Sequence, residues 1–433
     1  MIPDPTAAAL CAALTDQLAR QGLLTDPGWR AAFTAVNREA FVPFYFQPCQ
    51  GRPGWRLVEG GQEWREGVYA DEAIVTQING SDDAIEAARR GETVEGTPTS
   101  SSSAPSLMAA MLTALDAHDG HRVLEIGTGT GYNAAVLAAY GAAVTTIEVQ
   151  ADLASAATAR LGAAGIAATG NGAPAPGSVR VVAGDAAQPP AGRYDRVIVT
   201  AGCWALPAAL VDAVADGGVL VAPLRINGME LALALAKEGA ALRGAGGLPC
   251  GFLPLQAAGD HPQRWALGAG GFAIADADLG VEGRGALDRL LATPGRAVAD
   301  PLGLSDGEDA LAALLWLALQ GDPLITIAQP RDDEPASWTI ALNVLPTSLL
   351  LILLGATHRT VGQAVLHGAD GALRAAAVAM KRWRAAGAPG PDRLELTVEP
   401  GADRTGWSLP YPAEGGAATM TRGAHRWTAR YGP

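Results

Sequence analysis

The chain has 433 residues, 49% of them apolar and 17% charged, which describes a folded protein with room for more than one core and excludes a disordered one. Its formal net charge of −13 excludes a protein that coats nucleic acid or an anionic membrane surface. Cys11, Cys49, Cys203 and Cys250 stand far apart, with no Cys-x-x-Cys pair and no histidine at ligand spacing, so neither a disulfide framework nor a metal site is expected.

The first segment carries Asp4 and Asp16 and no basic run, so it reads as an ordinary helix rather than a targeting signal, and a cytoplasmic location is expected. From about Thr6 to Phe46, apolar residues recur at helical spacing: Leu10, Leu14, Leu18, then Trp29, Phe33, Val36. Cys49 to Arg65, rich in Gly, Trp and Arg, reads as an ordered loop, and ADEAIVTQ as a short strand or turn. The polar, acidic SDDAIEAARRGETVEGTPTSSSS reads as a mobile loop.

From Pro105 the pattern turns to a helix and then to strand–helix alternation. Strands are expected at Arg122–Ile126, Ala143–Glu148, Val179–Ala183, Tyr194–Thr200 and Gly218–Pro223, with an antiparallel one at ELALALAKEG. Helices fall at Asn133–Tyr140, Ala151–Ala164 and Pro207–Ala215, so a doubly wound parallel sheet follows, with its ligand at the strand C-termini. A composition break near Pro254 opens a second body of strands such as WTIALNVL and helices such as EDALAALLWLALQ and ALRAAAVAMKRWRAAG. The longest apolar run, Leu349 to Leu354, is too short to span a bilayer. Two units are expected: 1–255, divided into N-terminal helices with an insertion (1–98) and a cofactor-binding core (99–255), and an α+β accessory unit over 256–433.

Gly127, Gly129 and Gly131 crowd the turn between the first core strand and its helix, where backbone N–H groups meet a ligand. The glycines alone fit a dinucleotide site or a structural turn equally well. Glu148, about twenty residues on at the next strand end, can accept two ribose hydroxyls, and Asp185 after the third strand can meet an adenine amine. Glu125, just before the turn, repels pyrophosphate but suits a ligand bearing an ammonium and a sulfonium, as S-adenosylmethionine does. The competing reading makes Glu125 a strand-end carboxylate bonded to backbone N–H groups. The Glu125 charge and the missing GxGxxG spacing disfavour a nicotinamide dehydrogenase.

SAPSLMAAMLTAL, VLEIGTGTGYNAAVLA, IEVQADLASAA, GDA and YDRVIVTAG…LPAALVDAVADGGVLVAPL together resemble the protein-L-isoaspartate (D-aspartate) O-methyltransferase family, as do NREAFVP and VYADEAI upstream. The resemblance covers roughly Ala31 to Pro223. It implies a class I S-adenosylmethionine-dependent methyltransferase, a Rossmann-like α/β fold, here with an N-terminal helical region and an additional C-terminal α+β domain. It places Glu125, Ile126, Gly127, Thr128, Gly129 and Gly131, with Tyr132 and Asn133, around the methionine part of the cofactor. Glu148 and Val149 fall at the ribose, and Gly184, Asp185 and Ala186 at the adenine edge. Ser103, with Ser102, lies near the reacting methyl and the substrate carboxylate, and Thr200 borders both cofactor and substrate. A flexible linker is the competing reading of the serine run.

The acidic insertion between Ile78 and Thr99, and TAGCW after the fourth strand, depart from the family pattern beside the substrate side. The added module resembles extended methyltransferases encoded with ribosomally made modified peptides of the lanthipeptide and graspetide kinds. The expected partner is then a modified, cyclised precursor peptide, methylated at an aspartate that goes on to aspartimide or isoaspartate. Repair of isoaspartyl residues in damaged proteins is the alternative, and a peptide-binding or dimer-forming role for the C-terminal module is a third reading.

Overall fold

The computed structural model describes residues 5–49, 54–256, 262–268, 271–321, 324–331, 334–354, 360–401, 406–407, 411–412 and 417–432. The strand–helix alternation becomes a parallel sheet in the order Ala168–Thr169, Ser178–Ala183, Ala143–Glu148, Arg122–Ile126, Tyr194–Val199, Val214–Ile226. Met229–Glu238 then adds antiparallel to Val214–Ile226. Ala143–Glu148 is buried along its whole length, as a strand covered on both faces must be, which explains its continuous apolar and threonine character. The order reverses at Arg122–Ile126, flanked by Ala143–Glu148 on one side and Tyr194–Val199 on the other. A crevice opens where the chain leaves such strands in opposite directions, and Gly127 and Thr200, just past the ends of Arg122–Ile126 and Tyr194–Val199, both line it.

Two polar stretches differ from the expectation of loops. Within Cys49 to Arg65 lie the strand Trp55–Glu59 and the start of the helix Gly61–Tyr69. The supposed mobile loop holds the helix Asp83–Arg89 and the strand Pro98–Ser102. The cause is a small satellite core: Ala84, Ile85 and Val94 are buried with Phe46 and Ile78, so three apolar side chains organise a segment whose average composition is that of a linker. Pro98–Ser102 completes a four-stranded antiparallel sheet with Trp55–Glu59, Phe44–Pro48 and Ile74–Ile78. Ser100 and Ser102 are buried, so pairing overrides the weak strand preference of serine.

Beyond Gln256, the chain does two things. Residues 263–368 contain a seven-stranded sheet with the helix Gly280–Leu291 against it. Leu394–Pro400, Ala417–Gly423 and His425–Tyr431 instead extend the first sheet: Ala241–Ala245 pairs with Leu394–Pro400, placing Leu242 opposite Val398. The hairpin between Val214–Ile226 and Met229–Glu238 turns on Asn227 and Gly228, both at positive φ (44° and 86°), the combination a type I′ turn requires. That turn is buried in the second sheet. Asn227 Nδ2 donates to Ala318 O at 2.8 Å, and its Oδ1 accepts from Leu324 N at 3.1 Å. Beside it Arg225 Nε donates to Asp276 Oδ1 at 2.6 Å, and one hydrophobic cluster runs from Ile126 and Leu231 to Trp383 and Trp427. Among the described residues no helix is long and apolar enough to cross a membrane.

Candidate active site

The glycine turn at the crevice is shaped by its neighbours. Gly127, Gly129 and Gly131 all have positive φ (95°, 51° and 89°). At Gly127 a Cβ would also lie 2.7 Å from Thr200 Oγ1, so no side chain fits there. That hydroxyl donates towards Ile126 O at 3.0 Å and Gly127 O at 2.8 Å, fastening the turn to the end of the neighbouring strand. Gly131 caps the helix Tyr132–Ala139 and packs on Ala157, away from the cleft wall.

The cleft wall contains Ile126, Gly127, Thr128, Gly129, Tyr132 and Asn133 from the turn, and Glu148 and Val149 from the next strand end. Gly184, Ala186 and Thr200 belong to it as well, as do Thr99 to Ser103 and Met108. Of the residues expected here, Glu125 and Asp185 lie outside the wall with Gly131. Asp185 Oδ1 accepts from Ala187 N at 2.8 Å, bracing the turn that carries Gly184 and Ala186.

Glu125 sits one layer behind. It is fully buried, and its partners are side chains rather than backbone N–H groups: Asn133 Nδ2 donates to Oε1 at 2.7 Å and Thr146 Oγ1 to Oε2 at 2.6 Å. Thr128 Oγ1 lies 2.7 Å from Thr146 Oγ1 and, with Glu125 ionised and holding the Thr146 proton, is the donor to it. Burial pushes the Glu125 carboxyl up to about 7, against the two hydrogen bonds that favour its charged form. Asn133 Oδ1 is left buried with no partner among the described residues, on a side chain that both bonds Glu125 and belongs to the cleft lining. An orphaned acceptor in front of a buried carboxyl fits a cationic ligand group.

Glu148 is nearly buried at the wall. Its Oε2 accepts from Gly129 N at 2.9 Å and its Oε1 from Gln150 N at 3.1 Å, leaving further lone pairs for ligand hydroxyls. Ser102 is buried and Ser103 half-buried in the cleft lining, and Ser100 Oγ accepts from Thr76 Oγ1 at 3.0 Å. The serine run is thus part of a paired strand and a cleft wall, not a linker.

Residues 253–256 also line the cleft and were not foreseen from sequence. Leu255 N donates to Gly202 O at 3.0 Å, Gly202 N to Leu253 O at 2.9 Å, and Phe252 N to the half-buried Glu230 Oε1 at 2.7 Å. The available signal was the apolar FLPL inside a Gly/Pro-rich stretch, which reads equally as a composition break.

Comparison with known proteins decides the family. Residues 86–258 match the family model described as protein-L-isoaspartate(D-aspartate) O-methyltransferase (PCMT). A protein-L-isoaspartate O-methyltransferase of Methylorubrum populi is 34% identical over 234 residues, 54% of this chain and 88% of that relative. Protein-L-isoaspartate O-methyltransferase 1 of Rhodopseudomonas palustris is 35% identical over 213 residues, 49% of this chain and 67% of its own. The chain belongs to the protein-L-isoaspartate O-methyltransferase family. As a member, it is an S-adenosylmethionine-dependent protein carboxyl O-methyltransferase. A solved protein-L-isoaspartate O-methyltransferase structure aligns over 89% of this chain and 96% of its own, at 20% identity and a TM-score of 0.46. The family match runs past Pro223, where the sequence resemblance ends, and takes in residues 253–256 of the cleft lining.

The Glu125 carboxyl gives the methyltransferase a pH signature. A cationic ligand group bound beside Asn133 would favour ionised Glu125, so cofactor binding there is expected to release part of a proton, with affinity rising as pH is raised towards about 7. Titration calorimetry in buffers of different ionisation enthalpy measures the proton release directly. In a folded Glu125→Gln variant that release disappears, and release at the wild-type level would place the titrating group elsewhere.

Proposed function

We propose that this methyltransferase esterifies the side-chain carboxylate of an aspartate in a cyclised, ribosomally made peptide of the lanthipeptide or graspetide kind. The observation that carries this reading is the large region beyond the family match, built into the same sheet and core as the cofactor cleft. A pathway enzyme can use such a surface to recognise one constrained peptide, whereas broad repair calls for an open site. In this reading the region 256–433 recognises the peptide.

Bound S-adenosylmethionine supplies an electrophilic methyl group on a sulfonium. Asn133 and its Glu125 backing hold the cationic amino-acid end, Glu148 accepts the ribose hydroxyls, and Gly184 and Ala186 border the adenine. A substrate carboxyl has an ordinary pKa of about 3.9 and is already ionised at neutral pH, so no general base is required. What the protein contributes is placement: Ser102 and Ser103 orient the carboxylate and the strap Leu253–Gln256 excludes water, in a cleft where proximity can contribute about 7–11 kcal/mol. The ester carbonyl is more electrophilic than the carboxylate. The next backbone nitrogen attacks it and expels methanol, giving an aspartimide that opens largely to isoaspartate.

Ser103→Ala is expected to keep cofactor affinity and to lose turnover, since this hydroxyl faces the carboxylate rather than the adenosine. Single-turnover methylation beside calorimetry checks it, and wild-type turnover would remove Ser103 from the reaction. The second reading, repair of isoaspartyl residues in damaged proteins, is favoured by the named relatives. Mass spectrometry on a cyclised precursor, its linear form and a generic isoaspartyl peptide separates the two. The pathway reading expects the cyclised form to be methylated first, or to lose the mass of water as aspartimide. Preference for the generic peptide establishes repair.

A further inference from the structure

Arg38 opens a single 3-10 turn, Arg38–Ala40, and is fully buried beneath the serine wall of the cleft. Its Nη1 donates to Val68 O at 2.7 Å and Ala70 O at 3.1 Å, and its Nη2 to Ser103 O at 3.0 Å and Ser102 Oγ at 3.3 Å. Longer contacts reach Glu72 O and Ser102 O. Every one of these acceptors is a neutral oxygen. Among the described residues no carboxylate forms an ion pair with Arg38; Asp71, whose charge acts on it from a distance, accepts from Ser106 N at 2.8 Å. Burial lowers the Arg38 pKa, yet a guanidinium starts so high that it stays charged.

A buried cation is normally matched by a buried anion, because taking a charge out of water is costly. Here the missing anion has an obvious source. Ser102 and Ser103 stand between the guanidinium and the cleft, and a carboxyl methyltransferase must bring a carboxylate to that cleft. Ser102 also has a defined polarity: its Oγ accepts from Arg38, so its own proton is free to be donated into the cleft, and the adjacent cation strengthens that donation.

We propose that Arg38 is the positioning residue that makes this cleft selective for an ionised substrate carboxylate, acting through Ser102 and through space. This rests on the reading of the cleft as the carboxyl-transfer site. Attraction across a dry wall is weakly screened, so the effect falls on substrate binding more than on the methyl-transfer step.

The test uses the full-length protein saturated with S-adenosylhomocysteine and two peptides: one carrying the aspartyl carboxylate and its isosteric primary-amide analogue. The wild type is expected to bind the carboxylate at least tenfold more tightly than the amide. Arg38→Lys keeps most of that preference, and Arg38→Met loses it while binding S-adenosylhomocysteine as the wild type does. Loss of a merely structural contact would weaken both peptides alike and leave the ratio standing. A folded Arg38→Met with the wild-type ratio overturns the proposal. Should Arg38→Met not fold, Ser102→Ala carries the test, with a severalfold fall in the ratio expected and an unchanged ratio overturning it. Methyl transfer to the carboxylate peptide by the wild type, run alongside, tests the parent reading separately.

Discussion

A chain ending at Gln256 is expected to be insoluble or unfolded. Removing the rest takes away the partner of Ala241–Ala245 and leaves that strand as an open sheet edge, a template for aggregation. It also uncovers apolar side chains that share one cluster with the lost Trp383, Leu396, Val398 and Trp427. Ile226, Leu233, Leu235 and Leu242 are all buried in that cluster. Exposing four such residues forfeits about 1.5–3 kcal/mol each, comparable to the whole net stability of about 5–15 kcal/mol of a folded protein. Arg225 would lose Asp276, and Asn227 would lose its bonds to Ala318 O in the helix Ala310–Ala318 and to Leu324 N in the second sheet. Circular dichroism and size-exclusion chromatography of the fragment check this. A soluble, cooperatively melting fragment that binds S-adenosylhomocysteine would show the two parts to be independent.

Glu148→Ala is expected to weaken S-adenosylhomocysteine binding at least tenfold. Each charge-assisted hydrogen bond to a ribose hydroxyl is worth about 1.5–3 kcal/mol, and about 1.4 kcal/mol is tenfold in affinity. The substitution has a second cost: Gly129 N and Gln150 N lose their acceptor, so the glycine turn loses its tie to the strand beside it. Glu148→Gln retains one carbonyl acceptor and is expected to fall between. Calorimetry with a check of the fold reads both effects, and wild-type affinity in a folded Glu148→Ala would take the ribose away from this carboxylate.

The parallel sheet was legible because its signal is local. Arg122–Ile126 and Ala143–Glu148 are short apolar runs bounded by turn residues, and their limits agree with the structure to the residue. Val214–Ile226 runs several residues beyond the Gly218–Pro223 expected of it, because pairing with Met229–Glu238 carries it on to the buried turn. The polar segment from Ser81 to Ser103 was illegible because three buried side chains, not its composition, decide its structure. Pairing of Ala241–Ala245 with Leu394–Pro400 joins residues some 150 positions apart, and no local pattern announces it.

The site divides along the same line. The glycine turn, Glu148, Gly184, Ala186 and the serine wall could be placed because each follows a recognisable strand or motif. For Glu125, sequence spacing gives a carboxylate beside the turn but does not say that Asn133 bonds it from the cleft lining and that it is fully buried. Arg38 was not singled out at all. One arginine between Asn37 and Glu39 looks like surface, and only the chain folding back through Val68 and Ser103 buries it.

The central claim is that this cleft transfers a methyl group to a peptide carboxylate, and one measurement tests it most directly. The full-length protein is incubated with S-adenosylmethionine labelled in the methyl group and with a peptide presenting an aspartyl or isoaspartyl carboxylate. The label is then assayed on the peptide before and after mild base. The account predicts label on the peptide that base removes as methanol, absent from the amide analogue and strongly reduced in Ser103→Ala. Label that survives base, or equal labelling of the amide analogue, would contradict it.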